Sequence, residues 1–267
     1  MQIRRAFRFE LCPSGAQARL MSQFAGSCRY VYNRTLATEK SLYGKDKAHR
    51  FNYVECANRL VLWKKKHSFL KECHSQVLQQ ALKDLEKGYK NFFAKRAKFP
   101  RFKKKFQRDS FRFPQGFKID EDKQRIYLPK IGTVGYRKSR SIIGKPKNIT
   151  VSREGLKWFV SIQTEFEIGP KRIINSEIGI DMGVKKFVTF SNRTFVEPVN
   201  SLKNHLKQLA KLQKKLSRQQ KGSSNSKKTK AKITKLHRRI ANIRRDFLHK
   251  NTTTIAKNHG IVFMEDL

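Results

Sequence analysis

The stretch "IGIDMGVKKFVTF", residues 178–190, is an apolar, strand-like run interrupted by one carboxylate, Asp181, with Gly183 two residues later. An unpaired charge inside a buried run is costly, so an acid placed there needs a reason. The chain holds 61 Lys+Arg against 20 Asp+Glu, which makes the choice of an acid at this point more pointed still. Working outward, the run opens a region expected to begin near Ile173. "TFVEPV" is a candidate hairpin partner across a turn at Ser191-Asn192-Arg193. The chain closes on another apolar run, "HGIVFMEDL", which ends in Glu265 and Asp266.

Between these runs the spacing predicts two amphipathic helices. Leu202, Leu206, Leu209, Leu212 and Leu216 repeat at helical intervals, as do Ile233, Leu236, Ile240, Ile243 and Phe247. "KGSSNSKKTK" (221–230) reads as a flexible basic linker between them. Residues 201–245 contain sixteen Lys and Arg and no acid. The apolar stripes should therefore pack as a helical hairpin while the outer faces meet phosphate, with Lys214, Lys215, Arg238, Arg239, Arg244 and Arg245 as contacts.

Upstream, "QIRRAFRFEL" (2–11) alternates apolar and charged residues and predicts a half-exposed strand with a slip near Ala6. A helix is expected from about Ala16 to Tyr43, with Gly44 as its stop, a second over 53–65, and a third from Ser75 carrying Leu78, Ala81, Leu82, Leu85, Tyr89 and Phe92. From 115 to 167 the pattern is short strands with turn signals, as in small β-barrels of the OB kind, which the N-terminal strand would complete.

The net charge of +41 makes a polyanion the expected partner, nucleic acid first and an anionic membrane surface second. No apolar run approaches transmembrane length and no signal peptide is visible, so a cytoplasmic location and no membrane partner are expected. Cys12, Cys28, Cys56 and Cys73 form no C-x-x-C pair, so free thiols and no zinc are expected. Cys73-His74 supplies two donors that read more simply as a core Cys beside a surface His.

Asp181 and Glu265 occupy comparable places, each in or after a short apolar strand. If those strands lie side by side, both carboxylates reach one edge, where oxygen donors suit magnesium. Taken alone, D-x-G after a strand reads equally well as an Asp in a turn. Asp266 would face away from Glu265 if the strand continues.

The ordered set "RRAFRFELCP", "CRYVYNRTL", "SQVLQQALKDLEKGYKNFF", "PRFKKK", "DSFRF", "LPKIG", "KWFVSI", "GIDMGVKKFVTF", "DFLHK" and "IVFMEDL" resembles the TnpB family of transposon-encoded proteins, relatives of type V CRISPR effectors. The resemblance spans nearly the whole chain. It implies an α+β multidomain fold: an OB-like β-barrel wedge domain (1–15 and 96–172), an inserted helical recognition domain (16–95), and a partial RNase H-like (RuvC) α/β domain (173–267) with its basic helical hairpin at 201–258. It implies RNA-guided DNA cleavage with magnesium, a guide RNA and a double-stranded DNA target as partners, and Asp181 and Glu265 as the first and second RuvC carboxylates. The family pattern goes on past the Glu to a zinc ribbon and a third carboxylate. A cleavage-deficient truncation is therefore expected, with the chain's own catalysis left open. The alternative is a non-enzymatic nucleic-acid-binding regulator or guide-directed repressor.

Two further candidates keep two readings each. In "KFPRFKKK" (98–105), Phe99 and Phe102 could stack bases while Arg101, Lys103, Lys104 and Lys105 bind phosphate, or the two rings plug a core beneath a solvated basic strip. Gln76, Gln79 and Gln80 could read adenine in a major groove, or form a polar helix face. The resemblance implies that this region reads a short duplex motif beside the target.

Overall fold

The computed structural model describes residues 1–169 and 175–265 and divides the chain into two compact units, 1–168 and 169–267. The boundary expected at 172/173, and Asp266, lie outside the described residues.

The first unit is a curled antiparallel half-barrel sheet with helices. Its chain runs β1 (Gln2–Cys12), α1 (Gly15–Lys45), α2 (Tyr53–Lys66), α3 (Ser68–Glu72), α4 (Ser75–Phe93), β2 (Ser110–Phe113), β3 (Lys118–Asp120), β4 (Arg125–Leu128), β5 (Gly132–Arg137), β6 (Lys145–Glu154) and β7 (Lys157–Glu167). The strands lie in the order β2-β6-β7-β1-β5-β4-β3. Thus the N-terminal strand sits in the sheet's middle, paired with β7 on one side and β5 on the other. The described strands form an open sheet with β2 and β3 at its edges, where sequence reading expected an OB-like barrel. The slip expected near Ala6 is absent: β1 pairs with β7 residue for residue from Gln2 to Leu11. Phe7, Phe9 and Leu11 already share one parity, and the charged break at position 5 is met by Arg5 lying 5.4 Å from the Phe166 ring.

α1 starts where a capping box closes it: Ser14 Oγ accepts from Gln17 N (3.2 Å), and Gln17 Oε1 accepts from Ser14 N (3.0 Å). It ends at Lys45 with Asp46 as its C-cap, one residue past Gly44, the expected stop. Phe24, Cys28, Val31 and Leu36 fall on its buried face. Phe24 meets Phe111 and Phe113 of β2 with ring centroids 5.5 and 6.4 Å apart. Met21, Phe24, Val77 and Leu82 share one apolar core with Phe113, Ile126 and Ile162. The helices are inserted between β1 and β2 in the chain; they share this core with the sheet, and Tyr32, Leu36, Leu85 and Tyr89 form a second, smaller cluster among the helices themselves.

The second unit runs β8 (Glu177–Asp181), β9 (Val188–Phe190), β10 (Phe195–Val196), a 3-10 turn (Lys203–His205), α5 (Leu206–Ser217), α6 (Ser224–Asn258) and β11 (Ile261–Met264). Its four strands are ordered β10-β9-β8-β11, with β11 parallel to β8 and the other pairs antiparallel. A parallel pair needs a long crossover, and the two helices supply it. Leu209 of α5 packs on Leu236 and Ile240 of α6, with Leu212 and Ile233 beside them, so the helical hairpin forms. Its linker is shorter than "KGSSNSKKTK" suggests. Ser223 caps α6 by accepting from Ser226 N (3.1 Å), so most of that basic run is helical.

Candidate active site and nucleic-acid interface

The stretch 178–190 is not one strand but two, β8 and β9, folded back on each other with Ile180 opposite Phe190 and Asp181 opposite Thr189. Ile178 and Val188 are its buried residues, while Asp181, Met182 and Val184 are exposed. The apolar composition that suggested a buried run thus reflects two short strands and a protruding turn. A Cβ on Gly183 would stand 3.2 Å from Lys186 O, so glycine lets that turn close. Gly179 permits a second close approach: Ser191 Oγ accepts from its N–H (3.1 Å) and its carbonyl accepts from Ser191 N (3.0 Å).

β11 enters beside β8 at a fixed register. Ser176 Oγ is 2.8 Å from His259 Nδ1, and Gly260 N donates to Ser176 O (2.8 Å). Ile261, Val262, Phe263 and Met264 then pair with Glu177, Ile178, Gly179 and Ile180. Asp181 and Glu265 are the next residues on the two strands, side by side at their C-terminal ends. Both are exposed, and among the described residues neither is held in an ion pair. No group of three or more His, Cys, Asp and Glu side chains suited to a metal occurs among the described residues. Oxygen donors in a solvent-open pair suit a magnesium ion, which keeps waters and takes few protein carboxylates.

The basic candidates are distributed over both units. In the first, Lys104, Lys105 and Arg101 are exposed. Lys103 is half-buried: its N–H and carbonyl both bond the Asn33 side chain, and its Nζ lies 4.1 Å from the Tyr32 ring. Phe99 is half-buried against Tyr89 and Phe92, while Phe102 is half exposed. Gln76, Gln79 and Gln80 lie on the first turns of α4. Gln79 is exposed, Gln80 half-buried, and Gln76 turns a buried Oε1 inward that finds no partner among the described residues. In the second unit Lys214, Lys215, Arg239, Arg244 and Arg245 are exposed and Arg238 is half-buried.

Sequence reading missed Glu39. Its carboxylate is almost fully buried and accepts from His49 Nε2 (2.8 Å) and Arg59 Nη1 (2.5 Å). The signal was available, since Glu39 continues the Tyr32, Thr35, Leu36 stripe at helical spacing. Burial, with Glu39 alongside, pushes both the Cys56 thiol and the Tyr89 hydroxyl up to about 12.

Residues 159–267 match a family model described as "Probable transposase", and residues 1–48 match one described as "Helix-turn-helix domain", a segment that here holds β1 and the single helix α1. The chain is 50% identical over 265 residues to the "Putative RNA-guided DNA endonuclease InsQ" of Escherichia coli K12, covering 98% of this chain and 66% of that protein. It is 35% identical over 273 residues to a protein of Streptomyces pristinaespiralis named "Putative RNA-guided DNA endonuclease", covering 100% of this chain and 67% of that one. The chain belongs to the IS605 OrfB/TnpB family. It spans about two thirds of the length of these TnpB relatives. Among solved structures, the "Cryo-EM structure of the Cas12f1-sgRNA-target DNA complex" is matched at 16% identity with a TM-score of 0.36, over 99% of this chain and 73% of that one. As for membranes, no helix among the described residues of this TnpB relative is long and apolar enough to cross one.

Proposed function

We propose that these 267 residues hold a guide RNA and the double-stranded DNA it selects, and that Asp181 and Glu265 form part of a RuvC-like metal edge. The observation that carries the reading is the parallel pairing of β8 with β11, which sets the two carboxylates on neighbouring strand ends in a chain of net charge +41. In this reading the sheet of the first unit is the wedge, α1 to α4 recognise the target, and the mixed sheet of the second unit is the RNase H-like part. The part names come from the family resemblance, and the guide RNA and DNA partners are supported by relatives named putative RNA-guided DNA endonucleases.

The residues have distinct tasks. Lys104, Lys105 and the cations of α5 and α6 neutralise phosphate and release counterions. Gln79 and Gln80 approach base edges beside the target. Asp181 and Glu265 would hold a magnesium ion through their anionic oxygens, and such an ion would supply charge stabilisation for phosphodiester hydrolysis. Among the described residues these two carboxylates alone would hold the ion, and on that count our reading of the 267 residues is a guided binder that does not cut. The same ligand count favours the second reading, a guide-directed repressor. Purification from cells tests the proposal: the chain should carry RNA whose retention falls steeply with salt, and a nucleic-acid-free preparation would reject it.

A further inference from the structure

The helical part of the first unit holds a cavity of about 620 Å³ between the C-terminal halves of α1 and α4, the segment 46–52 and Phe99. That volume lies in the range of small-molecule sites. Its inner wall is aromatic. Phe51 stacks on Tyr89 at 5.2 Å, and Phe99 meets Tyr89 and Phe92 edge-on at 5.6 and 5.2 Å. Two further rings stand at the mouth, Tyr43 at 49% and Phe93 at 66% exposure.

The charges around the rings sort by depth. The acid at the floor, Glu39, is paired with Arg59 and hydrogen-bonded to His49, which ties α1 to α2 and to the segment before it. The cations at the lip remain open to solvent. Lys40 Nζ lies 5.5 Å from the Phe99 centroid and 5.6 Å from that of Phe102, and Lys47 Nζ lies 4.8 Å from that of Tyr43. A ligand that is flat and π-rich at one end and anionic at the other satisfies both parts. A nucleotide is such a ligand. An apolar peptide side chain would use the rings and leave the lip cations without a partner.

We propose that this cavity takes one unstacked nucleobase of a single-stranded nucleic acid, with Lys40 and Lys47 on the adjoining phosphates. The proposal deepens the reading of the chain as a nucleic-acid binder and rests on it. Stacking on aromatic side chains tolerates every base, so the site captures strand conformation rather than sequence.

The test compares three probes: a single-stranded RNA oligonucleotide, the DNA of the same sequence, and the RNA backbone with abasic riboses. The Tyr43→Ala/Phe93→Ala double variant removes only exposed rings, and an unchanged melting temperature checks its fold. It should bind the base-bearing strand at least about fivefold more weakly, the loss expected for one stacked base, and bind the abasic strand as the wild type does. Lys40→Glu should weaken both. A larger loss on RNA than on DNA assigns the base to RNA, and the reverse assigns it to the target. Wild-type affinity of the double variant for base-bearing strands, or an equal loss on the abasic strand, overturns the cavity proposal and leaves an apolar protein partner as the occupant. Failure of the wild type to bind any strand overturns the nucleic-acid reading itself.

Discussion

Asp181 and Glu265 each come next after a register partner of the parallel pair β8 and β11, Ile180 and Met264. The relationship makes the two acids a unit. A divalent ion shared by both should lose most of its affinity when either is removed. Manganese titration followed by electron paramagnetic resonance should show weak binding by the wild type and none by Asp181→Asn or Glu265→Gln, with the double variant no worse than either single one. Additive losses would assign the acids to separate ions.

The basic strip at 101–105 divides into the exposed Lys104 and Lys105, the latter 5.0 Å from the Phe106 ring, and the anchored, half-buried Lys103. Lys104→Glu/Lys105→Glu should weaken RNA binding and flatten the slope of log affinity against log salt by about 1.4 for the two lost phosphate contacts on a single strand. Lys103→Glu should also lower the melting temperature, since its ammonium sits over Tyr32 and its backbone is tied to Asn33. Equal thermal stability of the two variants would place Lys103 with the exposed lysines.

The start of α4 carries a comparable division. If Gln79 or Gln80 reads duplex DNA, its replacement by Ala should relax preference at one base position by about 1–3 kcal/mol. Gln76→Ala should leave base preference unchanged, because its Oε1 is buried. A binding-site selection experiment reads both outcomes. Uniform loss of binding across all sequences would assign the glutamines to phosphate or folding.

Much of the fold was legible in the sequence because local signals agreed with packing. Phe24, Cys28, Val31 and Leu36 repeat at helical spacing and are buried, and the Leu209 and Leu236/Ile240 stripes do form a hairpin. The failures have particular causes. A run of β-prone residues does not reveal where it folds back, so 178–190 reads as one strand although Met182 to Phe187 turn the chain. Ser223 converts a polar, linker-like run into a helix start, which composition alone conceals. The pairing of Asp181 with Glu265 depends on strand register across the whole helical hairpin, and residue types alone carry no such distance. The carboxylates could be singled out, but only the topology sets each of them next after a register partner, Ile180 or Met264.

His74 offers a pH test of the first unit. Burial, aided by Lys130 and Lys64, holds its imidazole below the usual histidine range, and its buried Nδ1 has no partner among the described residues. The unfolded chain therefore binds more protons than the folded one below about pH 6.5. Stability should be full above that value and fall as pH drops toward the folded-state value. Denaturant unfolding at pH 7.5 and 5.5 should show the loss in the wild type and a smaller loss in His74→Leu. An equal loss in both would assign the effect to other groups.

The central claim is guided recognition of DNA by these 267 residues without cutting. The most direct measurement sequences the RNA that copurifies with the chain. A plasmid carrying the complementary segment is then incubated with the complex and magnesium, with a scrambled plasmid as control. The account predicts retention of the complementary plasmid alone, with both strands intact and retention unchanged by Asp181→Ala. Equal retention of the scrambled plasmid, or Asp181-dependent cleavage of the matched one, would contradict it.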